Sequence, residues 1–131
     1  MRRGLLVLLA GVTLSLAACG GSSGSSGGGG GSSGAPAGST KVTMTDYKFN
    51  PADLNVKAGK ASFFLVNSGG VSHDFVVMSA DGSKTLGRSE LVQPGNSGVL
   101  TIDNLPAGNY SVICDQPGHA NLGMKGTLTA T

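Results

Sequence analysis

From Lys41 onward the chain alternates short apolar runs with turn residues at close, regular intervals. The runs KVTMTDYKF, DLNVKAG, KASFFLVNSG, HDFVVMSA, SGVLTIDNL, GNYSVICD and KGTLTAT are rich in Val, Thr, Phe, Tyr and Ile. These are the residues that suit a pleated, half-buried surface. Asn-Pro, Ala-Gly, Gly-Gly, Asp-Gly and Pro-Gly steps separate the runs, as turns do in a sandwich or barrel. In GNYSVICD a period of two sets Tyr110, Val112 and Cys114 on one face, with Ser111 and Ile113 on the other. No stretch keeps a helical period with caps. GSKTLGRSELV is the least patterned part and is expected to be a loop or one short turn of helix. The fold class predicted is all-β, a two-sheet β-sandwich of about seven or eight strands.

The chain before Lys41 has a different character. Arg2 and Arg3 precede an apolar run from Leu5 to Ala18, too short to span a bilayer comfortably and built like a signal peptide. The small residues Ala17 and Ala18 lead into Cys19, and LAAC resembles the lipobox of bacterial lipoproteins. That resemblance implies cleavage after residue 18 and acylation of the Cys19 thiol. The double arginine leaves both general and twin-arginine export open. Residues 20–39 are almost wholly Gly and Ser, with no charge, so they cannot bury enough surface to order themselves. A tether of this length has an r.m.s. span of about 25 Å. The expected organisation is therefore a signal peptide over 1–18, a lipidated cysteine and linker over 19–40, and one domain over 41–131. Acyl chains on Cys19 place that domain outside the cytoplasm, anchored to the cell membrane.

Processing also changes the charge. Of nine Lys and Arg, Arg2 and Arg3 leave with the leader, so seven basic residues face seven acidic ones. A near-neutral domain with no basic patch excludes a nucleic-acid partner, and no second apolar run predicts a membrane span.

The candidate chemistry is concentrated in CDQPGHANLGM, residues 114–124. With Cys19 committed to the anchor, Cys114 has no disulfide partner, although free thiols outside the cytoplasm tend to be oxidised or paired. Cys114 ends a strand, QPG turns the chain, His119 sits in the loop and Met124 opens the next strand. Such a hairpin can gather a thiolate, an imidazole and a thioether at one point. His73, the only other histidine, lies at a strand edge after NSGGVS. Two imidazoles and a thiolate with a weak axial methionine form the blue-copper electron-transfer set. Taken singly, each of these residues is more often core filler or a loop polar group; together they point to one ligand. A thiol enzyme is a rival, with His119 as base and Asp74 or Asp115 orienting it, but it leaves Met124 without a role. Zinc is another, yet methionine is a poor ligand for it. Copper storage or delivery keeps the metal and changes the task. The preferred function is electron transfer rather than catalysis.

The upstream histidine in GVSHDFVV and the terminal YSVICDQPGHANLGMKGTL, with C-x4-H-x4-M spacing, resemble the cupredoxins. The resemblance covers residues 41–131, and the loop length is nearer that of rusticyanin and auracyanin than that of plastocyanin. It implies a Greek-key sandwich holding one type 1 copper ion through His73, Cys114, His119 and Met124. It also implies backbone N–H donors to the thiolate from Asp74 and Gln116, because proline falls at 117 rather than 116. LPAGNY, just before the cysteine strand, resembles a tyrosine corner. Asp74 and Asp115 depart from the family's usual asparagine and hydroxyl residue, and two carboxylates near copper would favour Cu(II). The resemblance further makes His119 the electron port, in an uncharged patch with Pro117, Ala120 and Leu122. The expected partners of this monomer are a redox donor and a redox acceptor.

Overall fold

Nine strands make up the computed structural model of the protein, which describes residues 34–131. The leader, Cys19 and the tether up to residue 33 lie outside the described residues. The strands are β1 (Thr40–Thr45), β2 (Lys48–Asn50), β3 (Asp53–Val56), β4 (Gly59–Asn67) and β5 (Val76–Ser79), followed by β6 (Thr85–Arg88), β7 (Ser97–Leu105), β8 (Gly108–Ile113) and β9 (Lys125–Ala130). One sheet has the order β2-β1-β4-β7 and the other β3-β9-β8-β5-β6. β1 runs parallel to β4, and β3 parallel to β9; the remaining pairs are antiparallel.

The two inner faces bury what the alternation assigns to them. Val42 and Met44 of β1, Phe63 and Leu65 of β4, and Val112 and Leu128 of β8 and β9 are fully buried. Phe75 sits between the sheets with ring centroids 5.2 Å from both Phe49 and Phe63. A bulge between Gly59 and Ala61 changes the register against β7. It lets Leu105 turn inward three residues after Ile102, where strict alternation would put it outside. The tyrosine corner is present: the Tyr110 hydroxyl donates to the Pro106 carbonyl at 2.7 Å.

Two of the nine strands lie beyond the seven runs read from the sequence. The run 41–49 is a hairpin, because Asp46 and Tyr47 turn the chain between Thr45 and Lys48, which pair. Tyr47 has φ +65°, a left-handed conformation normally signalled by Gly or Asn, so the residue type concealed the turn. The second extra strand, β6, lies in the segment expected to be a loop or a turn of helix. It has little strand propensity and forms through packing. A Cβ on Gly87 would meet Ile102 at 2.7 Å, so only glycine lets β6 lie directly over β7.

Candidate metal centre

Three separate backbone devices bring the four predicted ligands to one end of the sandwich. His73 follows the loop after β4 and is held by a two-way bridge to Val92. Its N–H donates to the Val92 carbonyl at 3.1 Å, and its carbonyl accepts from the Val92 N–H at 2.8 Å. Buried Asn67 fixes the loop before it. The Asn67 amide donates to the carbonyls of Val71 and Val92, each at 2.8 Å, and its oxygen accepts the Gly69 N–H at 2.9 Å. Cys114 continues β8, and its N–H donates to the Met124 carbonyl at 3.0 Å. Between them the chain winds through tight turns: the His119 N–H donates to Gln116, and the Met124 N–H donates back to the His119 carbonyl, both at 3.0 Å.

This frame aims the donor atoms at one another. His73 Nδ1 is 3.2 Å from His119 Nδ1, and Cys114 Sγ is 3.8 Å and 3.4 Å from the two nitrogens. Bonds of about 2.0 Å to nitrogen and 2.3 Å to sulfur, as a first-row dication makes, would set three coplanar ligands about 3.5–3.8 Å apart. The observed spacing fits that requirement. Three lone-pair donors crowded together are unfavourable until a cation lies among them. His73, Cys114 and Met124 have no solvent exposure, and His119 is half-buried.

The electrostatics suit a metal that competes with protons. Burial chiefly pushes the His73 pKa down, against the Asp46 carboxylate nearby, so the ring is kept neutral with a lone pair available. Burial also pushes the Cys114 thiol up, while N–H groups of Asp74 and Gln116 pull it back toward the thiolate.

The surrounding residues meet sequence expectation in part. Asp74 is buried and ties the ligand loops together: its carboxylate accepts the Asp115 N–H at 2.7 Å. The two carboxylates do not stand uncompensated, however. Arg88 reaches Asp74 at 3.0 Å through one nitrogen and Asp115 at 2.5 Å through the other, and the three form a single bridged group. The sequence reasoning passed over Arg88, although it is the only arginine after the leader. It also passed over Asn67, which Ser68, Gly69 and Gly70 mark as the start of an Asx turn, and over Tyr47. The Tyr47 ring meets that of His119 edge-on at 5.0 Å. Pro117 and Leu122 are exposed and Ala120 is half-buried, around His119.

Among solved structures the chain resembles auracyanin B, with 26% identity, a TM-score of 0.66, and 75% of this chain and 91% of that one covered. It also resembles auracyanin A, described as a "blue" copper protein of Chloroflexus aurantiacus (22% identity, TM-score 0.58, 70% and 100% covered). An azurin of Methylomonas sp. strain J shares the fold at 16% identity, with a TM-score of 0.63 and 71% and 97% covered. No curated protein matches the chain. The family described as "Cupredoxin-like domain" matches residues 7–130. With His73, Cys114, His119 and Met124 arranged as a type 1 copper site on this sandwich, the chain belongs to the cupredoxin-like family.

Proposed function

We propose that the protein is a one-electron carrier, exchanging electrons with redox partner proteins at the outer face of a membrane to which an acylated Cys19 tethers it. The observation that carries this reading is the buried convergence of His73 Nδ1, Cys114 Sγ and His119 Nδ1 within 3.2–3.8 Å. Bound copper would supply a Cu(II)/Cu(I) couple. The residues themselves supply rigidity, because every ligand is fixed by backbone hydrogen bonds to neighbouring segments. A preset frame limits the rearrangement that accompanies each electron.

The burial of Cys114 and His73 speaks against a thiol enzyme, whose nucleophile must be reached by substrate. The same burial disfavours copper delivery, which calls for ligands open to exchange. The discriminating experiment is a reversible one-electron redox titration of the copper-loaded protein, run beside a transfer assay to a strong copper chelator. A reversible couple with slow loss of metal supports the carrier. Rapid loss to the chelator with no reversible couple would support delivery.

Two expected outcomes refine the mechanism. The Gln116 N–H faces the thiolate, and hydrogen bonds to that sulfur favour the electron-rich reduced state. Gln116→Pro removes that donor and lowers the reduction potential by some tens of millivolts, about a tenfold change per 59 mV. An unchanged potential in a folded variant would eliminate this role. His119 is half-buried and Leu122 is 62% exposed beside it, giving an uncharged patch suited to brief docking at the small end of interface sizes. Leu122→Asp slows exchange with a redox partner about tenfold or more without changing the visible spectrum. Asp at Val99, on β7 and 46% exposed, serves as the control; equal slowing there would remove the port from this face.

A further inference from the structure

His73 is fully buried, and its Nε2 is the buried side-chain polar atom that lacks a hydrogen-bond partner among the described residues. With Nδ1 turned toward Cys114 and His119, Nε2 is the nitrogen that carries the ring proton. Such a proton on a metal-binding imidazole ordinarily goes to a carboxylate, a carbonyl or water. The Asp46 carboxylate is 3.5 Å away, and a closure of about 0.5 Å brings it within hydrogen-bond range.

The neighbourhood is built to hold that carboxylate. Asp46 Oδ1 accepts the Gly70 N–H at 2.8 Å, which anchors it over the loop leading to His73. A Cβ on Gly69 would lie 2.4 Å from Asp46 Oδ1 and 3.1 Å from His73 Nε2, so a glycine is needed for acid and imidazole to meet. The next residue, Tyr47, takes a left-handed φ of +65° and sets its ring against His119. One two-residue turn thus places a side chain on each of the two imidazoles.

We propose that Asp46 is the positioning residue for His73: its carboxylate accepts the Nε2–H, fixes the tautomer that leaves Nδ1 to the metal, and biases the couple toward Cu(II). This rests on the type 1 copper reading above. A carboxylate charge near the centre favours the more positive metal state, opposing the thiolate's N–H donors. Unlike Asp74 and Asp115, which share Arg88, Asp46 pairs with no Lys or Arg among the described residues, and the His73 ring beside it is neutral.

The test uses copper-loaded wild type, Asp46→Asn, Asp46→Ala and, as a charge control, Asp103→Asn on β7. Two readouts are taken: the reduction potential, and the exchange of the His73 Nε2–H with water, followed by NMR in the diamagnetic reduced state. Asp46→Asn is expected to shift the Cu(I)/Cu(II) balance about tenfold toward Cu(I), a rise of about 59 mV, while keeping the Nε2–H protected through its amide oxygen. Asp46→Ala shows the same rise and at least tenfold faster exchange; Asp103→Asn shows neither. Equal potentials in wild type and Asp46→Asn, or unchanged exchange in Asp46→Ala, overturn the proposal. A wild type without a thiolate–copper band overturns the site reading itself, and the proposal with it.

Discussion

Serine in place of Cys114 will leave a folded sandwich that has lost its copper chemistry. The hydroxyl inherits the N–H groups of Asp74 and Gln116 that face the sulfur, so the metal-free protein loses only about 1 kcal/mol. The loss at the metal is far larger, because a neutral hydroxyl is a hard, weak donor where a soft thiolate stood. Losing a supporting partner of a ligand typically costs 10–100-fold in metal affinity, and losing the ligand itself is expected to exceed about 100-fold. The effect is measurable as linkage. Copper at about a thousand times its dissociation constant stabilises the wild type by about 4 kcal/mol, or roughly 16–30 °C in melting temperature for a domain of this size. Cys114→Ser should gain only a few degrees under the same conditions and show no intense visible band. A variant that kept the full copper-dependent rise would mean that the metal is not held by the thiolate.

The second large effect falls outside the ligand set. Asn67 is 1% exposed and makes three hydrogen bonds, to Val71, Val92 and Gly69. Alanine leaves the Val71 carbonyl and the Gly69 N–H without this partner, and leaves the buried Val92 carbonyl with the His73 N–H as its one donor. At about 1–3 kcal/mol for each buried unpaired group, with some recovery by relaxation, the expected destabilisation is about 3 kcal/mol. That corresponds to a fall of about 12–24 °C in melting temperature. Val92 is also the residue that bridges His73, so the loosened loop should weaken copper binding as well. Aspartate has the same shape but turns a carboxylate toward two carbonyls, so Asn67→Asp should be at least as damaging as alanine. A well-tolerated Asn67→Asp would show that packing, rather than the amide's hydrogen bonds, fixes the loop.

What was legible in the sequence was what is local. Cys114, His119 and Met124 lie in one loop between adjacent strands, so their spacing alone predicts convergence. Alternation in β8 and the Gly and Pro punctuation likewise reflect neighbours along the chain. The features that were not legible depend on contacts made at a distance. β6 exists because Gly87 clears the side chain of Ile102, which no property of TLGR announces. The β1–β2 turn was concealed because tyrosine occupies a left-handed position. Arg88 lies 14 residues from Asp74 and 27 from Asp115, and only the pairing of β5 with β6 and β8 brings the three together. Without that guanidinium the two carboxylates near the ligands read as a net negative influence on copper. With it, half of that charge is neutralised and both carboxylates are held in one bridged group beside the ligand loops.

The account's central claim is tested most directly by adding Cu(II) to the purified protein and recording visible absorption and EPR together. It predicts an intense blue band and a narrow copper hyperfine splitting, the joint signature of a short thiolate bond at a buried site with two imidazoles. A colourless or pale solution with an ordinary Cu(II) spectrum would contradict it, because the four side chains would then not converge on the metal.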